Sequence, residues 1–170
     1  MKKILLFFAL FSFLTMAGAC GYKFSRGGLL PGDKKHVAVL MFRNKTLESG
    51  VEKVFADALS VEIMDMSDSI VVKMEDADAY FKGVVKSVSI SALTRKSDDT
   101  VMERRVSAVI DLSMVDKNGK VLWSVNDFSD TEEYRVTTEN ITDMASRSFG
   151  ITRIAQRISQ KLVTGMLDRF

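Results

Sequence analysis

The sequence predicts an α+β fold. Its expected architecture is a mostly antiparallel sheet of about four to five strands with two helices on one face, in the order β-α-β-β-β-β-α. Three observations predict it. Two stretches, 50–66 and 140–170, carry apolar residues at helical spacing. Three long stretches between them alternate apolar and polar side chains, and Asn118-Gly119 joins the last two as a hairpin turn. His36 to Phe42 is a near-continuous apolar run, the pattern of a buried strand.

The chain opens with Met1-Lys2-Lys3, a short positive start, and Ile4 to Leu14 is apolar except for Ser12. Spanning a bilayer takes roughly 20 apolar residues, so this run is too short. A charged start, a short apolar core and the small residues Ala17-Gly18-Ala19 describe a secretory leader. Cys20 follows directly and is the only cysteine, so no intrachain disulfide forms. A cysteine at this place is the pattern of a bacterial lipoprotein, whose thiol accepts lipid before the leader is cut. Ala17 stands where such signals usually carry Leu, and the alternative is a soluble secreted protein with a free thiol. Gly21, rather than Asp, after the cysteine points to the outer membrane. Each buried methylene contributes about 0.8 kcal/mol, so several chains anchor where one does not. The expected organisation is a signal peptide over 1–19, a lipid-anchored tether over 20–35 and one domain over 36–170.

The leader takes Lys2 and Lys3 with it. The 24 basic residues become 22, matching the 22 acidic ones, and the mature chain is neutral. No global basic field exists to attract nucleic acid, so an anion site has to be a local patch.

In the tether region, Gly27-Gly28 and Pro31-Gly32 forbid a long regular element. Arg43 to Thr46 is expected as a loop; Asn44-Lys45-Thr46 there matches a glycosylation triplet that occurs often by chance. The first helix places Val51, Val54, Phe55, Ala58, Leu59, Glu62 and Met66 near one face. Ile70-Val71-Val72 is a short strand, and Glu75 to Asp78 a polar break. In Ala79–Leu93, Val84, Val88, Ile90 and Ala92 share a face opposite Ser87, Ser89 and Ser91, with a bulge expected near Gly83. Val101–Val115 sets Met102, Val106, Ala108, Ile110, Leu112 and Met114 against Glu103, Arg105, Ser107, Asp111 and Ser113, with Arg104 interrupting the apolar face. Val121 to about Tyr134 returns as the third long strand, completing a meander wet on one face. The last helix carries Ile141, Met144, Ala145, Ile151, Ile154, Ala155, Ile158, Leu162 and Met166 as its stripe.

The order of short motifs carries a resemblance. Cys20-Gly21-Tyr22-Lys23-Phe24 begins the mature chain. Leu30-Pro31, Val37-Ala38-Val39 and Phe42-Arg43-Asn44-Lys45-Thr46 follow. Glu52 opens the first helix, and Asp76-Ala77-Asp78-Ala79 precedes Gly83. This order resembles the lipopolysaccharide-assembly lipoprotein family LptE, in its divergent non-enterobacterial form, over essentially the whole mature chain. The resemblance implies a palmitate-bearing lipoprotein in the inner, periplasm-facing leaflet of the outer membrane. It implies a plug inside the β-barrel LptD that helps to transport lipopolysaccharide and insert it into the outer leaflet. It implies two helices on a sheet, no cofactor and no enzymatic activity.

Given that ligand, the Arg95-Lys96 turn is the expected lipopolysaccharide site, because arginine binds phosphates and carboxylates bidentately. Arg104 and Arg105 would join it if the two strands pair, putting four cations at one end of the sheet. A solvated turn neutralised by Asp98 and Asp99 is the plainer reading. Arg153, Arg157 and Lys161, four apart, form a solvated helix face or touch a polar barrel lumen. His36 has no Cys or His companion, so no zinc site is expected. Asp76 and Asp78 fit a turn better than an acid–base pair, and Trp123 fits core or a partner contact. No nucleophile stands with a base and an orienting group, and no glycine-rich phosphate loop precedes a helix, so a periplasmic hydrolase finds no support. The competing function is a lipoprotein pilot or scaffold for another outer-membrane pore or a cell-wall complex.

Overall fold

The computed structural model describes residues 27–95, 101–135 and 143–168. Eight elements follow one another. They are β1 (His36–Val39), β2 (Arg43–Asn44), α1 (Val51–Met66), β3 (Ile70–Val71), β4 (Ala79–Arg95), β5 (Val101–Asp116), β6 (Val121–Arg135) and α2 (Asp143–Leu167). A 3-10 turn, Met74–Asp76, occupies the polar break before β4.

The strands form one sheet in the order β3-β1-β4-β5-β6, with β2 also on β4. β4, β5 and β6 are the expected antiparallel meander. The short strands differ. β1 runs parallel to β3 and to β4, and β2 runs parallel to β4, so the sheet is mixed. The reason is the crossover through α1, which returns the chain to the end where β1 began. The apolar run 36–42 is also not one strand. β1 stops at Val39, and Phe42 turns inward until its ring lies over Gly83 of β4. A Cβ on Gly83 would stand 2.3 Å from that ring. The strand then resumes as β2 over two residues expected as loop.

β5 alternates as its sequence requires, burying Val106, Ala108, Ile110, Leu112 and Met114 on the helix side. β4 changes phase at Lys86, where the pairing slips between Val85 and Ser87. The bulge therefore sits three residues beyond Gly83, and Val85, not Val84, faces the core. A matching slip in β6 lies at Asn126-Asp127, where Asp127 adopts a φ of 54°. Lys86 ties the two irregular sites together through ion pairs to Asp127 and Asp111. The β5–β6 turn closes as expected: Gly119 takes a φ of 86°, and the Asp116 carboxylate accepts from the amides of Asn118 and Lys120.

Both helices lie on one face. α1 buries Val51, Phe55, Ala56, Ala58, Leu59 and Ile63, so its stripe includes Ala56 and Ile63 beyond the expected set. α2 buries Ile151, Ile154, Ala155, Ile158, Leu162, Val163 and Met166. The helices run in the same direction. The start of α1 (Val51, Val54) meets Ser148 and Ile151, while Gly28, whose carbonyl accepts from Asp68 just past α1, approaches Leu167 at the end of α2. Leu30, in the segment expected as tether, is buried in the same core, and its amide donates to the Ser69 hydroxyl. Among the described residues, no helix is long and apolar enough to cross a membrane.

Candidate functional site

β4 and β5 stay paired out to Arg95 opposite Val101. The hairpin expected to collect cations is therefore formed. Lys96, the side chain of Arg95, and Cys20 lie outside the described residues. Arg104 and Arg105 are described, and strand alternation sends them to opposite faces. Arg104 is opposite Ala92 and Tyr134 and follows the register of Val106, so it stands on the helix side. Arg105 points to the open face. There its Nε and Nη2 donate to Glu133 Oε1 at 3.1 and 2.7 Å. The two share one end of the sheet but no common surface.

The α2 cations are half-exposed and each is fastened to an acid of β6. Arg153 and Arg157 bond to Glu132, and Arg157 and Lys161 bond to Asp130. These acids lie on the helix-side face of β6, with side chains only 11% and 12% exposed. Burial opposes ionisation of Asp130. The Lys161 ammonium, the Thr131 amide and Arg157 outweigh it and hold the carboxyl below its ordinary value. Asp130, then Glu132, pushes the Arg157 guanidinium up. An ionic seam thus joins α2 to the outermost strand. A signal for it existed in the alternation of Asp130, Glu132 and Tyr134 against cations spaced by four. Using it required the phase of β6 beyond Asp127, which the irregular residue resets.

A third group lies past the end of this seam. Phe149 is 53% exposed and meets Tyr134 edge-on at a centroid distance of 5.9 Å. The Arg153 guanidinium sits 5.9 Å from the Phe149 ring centre. Two residues before Phe149, on the face of α2 toward α1, Arg147 pairs with Glu48, whose neighbour Leu47 is fully exposed. Gly150 makes the approach possible, since a Cβ there would stand 2.6 Å from the Tyr134 ring. Sequence reasoning did not single out Phe149, which stands outside the apolar stripe expected for this helix.

The remaining candidates have local roles. His36 Nδ1 lies 3.5 Å from an Asp78 carboxylate oxygen, and Asp76 ends the 3-10 turn. Trp123 packs on the core from β6. Asn44 organises the β2–α1 loop. Its amide donates to the Glu48 carbonyl and the Glu52 carboxylate, and its oxygen accepts from the Thr46 amide and hydroxyl. Among the described residues, no group of three or more His, Cys, Asp or Glu side chains could hold a metal ion.

These features define a class: an α+β domain with two co-directional helices on a mixed sheet and a cationic, partly aromatic end to its long hairpin. The sequence model of LptE, described as lipopolysaccharide-assembly, matches residues 34–169. The chain belongs to the LptE family, and membership gives it a role in lipopolysaccharide assembly. No curated sequence is similar enough to match. Among solved structures, a Xanthomonas campestris protein is similar at a TM-score of 0.53 and 10% identity, covering 81% of this chain and 86% of that one. It shares the fold. A putative lipoprotein from Caulobacter crescentus is similar at 0.49 and 13%, covering 75% and 88%. Rare lipoprotein B from Shewanella oneidensis is similar at 0.39 and 14%, covering 78% and 97%.

Proposed function

We propose that this protein is a non-enzymatic outer-membrane lipoprotein that plugs and supports an LptD-type barrel and assists lipopolysaccharide transport into the outer leaflet. The observation that carries the proposal is the family match over 34–169. In this reading Cys20 bears the lipid, residues 1–19 are removed, and the domain faces the periplasm.

The fold supports an orientation. Gly27 lies against Asp68, where α1 has just ended, and Cys20 is seven residues upstream. Seven extended residues reach at most about 25 Å. The anchor therefore holds the end where the helices finish. β4 starts at that end, opposite Asp116, and runs 17 residues away from it. At about 3.3 Å per residue its tip stands on the order of 50 Å further on. The cationic end thus points away from the anchor, toward the ligand. Arg95, Lys96 and Arg104 contact lipopolysaccharide phosphates there, with Arg105 on the opposite face.

Four measurements test the reading. Depletion of the protein lowers lipopolysaccharide at the cell surface. Affinity purification recovers a large barrel protein; a secretin ring in its place refutes the barrel assignment. Palmitate labels the wild type and not Cys20→Ala; equal labelling of both refutes the anchor. Reversing Arg95 and Lys96 to Glu weakens lipopolysaccharide binding by the purified domain, and unchanged binding removes them from the site.

A further inference from the structure

β4 has a strand on both sides only over its first half. β1 and β2 pair with it as far as Val85, and the Lys45 amide donates to the Val85 carbonyl as the last bond in that lane. The chain then turns away into α1. Over residues 87–92 β4 pairs without a break with β5, and no described strand lies on its other side. The result is a straight backbone edge about 20 Å long. It lies in line with β2 and is bounded by the slips at Lys86 and Leu93.

Exposed edges invite added strands, and proteins blunt them with charge, proline or bulges. The outer edge of β6 is blunted. It carries Asp127 at its irregular site, then Asp130, Glu132 and Glu133. Residues 87–92 read Ser-Val-Ser-Ile-Ser-Ala, with no charge and no proline. Ser87, Ser89 and Ser91 stand exposed on the open face, while Val88 and Ile90 lie half-buried on the helix face, packed on the core. Leu47, in the loop that leaves the lane, is fully exposed rather than folded over it. At the base of the lane Arg43, opposite Val84, and then Lys45 are exposed, and neither forms an ion pair among the described residues.

We propose that an extended peptide segment of another protein adds to residues 87–92 as a further strand in the lane that β2 leaves, with an acidic residue at the end nearest Arg43 and Lys45. Donors and acceptors alternating along one edge are satisfied by another strand, so main-chain pairing supplies the affinity. Alternation supplies the pattern. Side chains on the helix face of the incoming strand are apolar and extend the cover over Val88 and Ile90. Those on the open face are small and polar, beside the serines. The two cations select the acid. Asn44 and Lys45 close the lane at its base, and it opens toward the hairpin tip. A second copy pairing antiparallel through its own residues 87–92 would run its hairpin tip into that closed end. A short segment that stops there fits instead.

The experiment uses the full mature chain and three capped peptides: Glu-Val-Thr-Val-Thr-Val-Thr, the same peptide N-methylated at every amide, and the same peptide with Lys first. The first is expected to bind, and the methylated one to lose at least about tenfold, since its donors are gone. The Lys peptide is expected to bind more weakly than the Glu peptide, and the Arg43→Glu, Lys45→Glu variant to reverse that order. Amide exchange followed by NMR is expected to slow at alternate residues of 87–92 when the Glu peptide binds. Equal binding of the methylated peptide overturns strand addition. Slowing along residues 121–135 instead moves the strand to the β6 edge and overturns the lane. Protection of the whole of 87–92 in the free chain overturns the vacancy: protection lost on dilution assigns the lane to a second copy, and protection that persists assigns it to this chain. An unchanged peptide order in the double variant overturns the acid, and no binding by any peptide overturns the site.

Discussion

Gly83→Ala perturbs the contact that bends the first strand into the sheet. The added methyl would stand 2.3 Å from two Phe42 ring atoms, well inside van der Waals contact. Phe42 is only 4% exposed and stacks on Phe55 of α1 at a centroid distance of 6.2 Å. The ring cannot swing into solvent without unpacking that helix. Overpacking of this kind costs about 1–3 kcal/mol. Alanine returns about 0.4–1 kcal/mol by restricting the unfolded chain. The net expectation is a loss of about 1–2 kcal/mol, or roughly 3–6 °C in melting temperature for a chain of this size. Circular dichroism melts of the mature domain read it directly. The diagnostic is the double variant with Phe42→Leu. A smaller, flexible side chain relieves the clash, so the pair should be less destabilised than the sum of the two single changes. A Gly83→Ala protein that melts at or above wild type, or strict additivity with Phe42→Leu, refutes the contact as the reason for glycine at this position.

Two further perturbations follow from the site geometry. Asn44→Asp removes the amide donor shared by the Glu48 carbonyl and the Glu52 carboxylate, and sets a second carboxylate beside Glu52. It should cost about 1–3 kcal/mol in a chemical melt at pH 7. Asp130 has a folded pKa held below its ordinary value, so its ion pairs add stability above about pH 4 and lose it as pH falls through the lower folded value. Asp130→Asn should therefore destabilise by about 1–3 kcal/mol at pH 7 and converge on wild type near pH 2. Parallel loss at both pH values would show that the seam contributes by packing alone.

Periodicity along the chain determined the helices and the three long strands, because a buried face imposes its repeat on whatever element carries it. β5 is the clearest case: five buried residues at period two, all anticipated, and Arg104 anticipated as the break. The Asn118-Gly119 turn was equally local. Parallel pairing of β1 and β2 was not available from any window, since it depends on where α1 sets the chain down. The bulges at Lys86 and Asp127 were decided across strands as well. Each inverts the inward-facing phase between its two sides, so Val85 before the first bulge replaced Val84, and the placement of Asp130 and Glu132 after the second escaped notice.

The same division holds at the site. A hairpin rich in arginine was foreseeable from spacing, and motif order alone identified the family. Which cations are already occupied is a property of the folded molecule, because a salt bridge needs two residues far apart in sequence to share one surface. Arg157 and Lys161 proved to be internal fastenings on β6. Phe149 proved to be half-exposed, edge-on to Tyr134 and beside the Arg153 guanidinium, a packing set by where β6 places Tyr134.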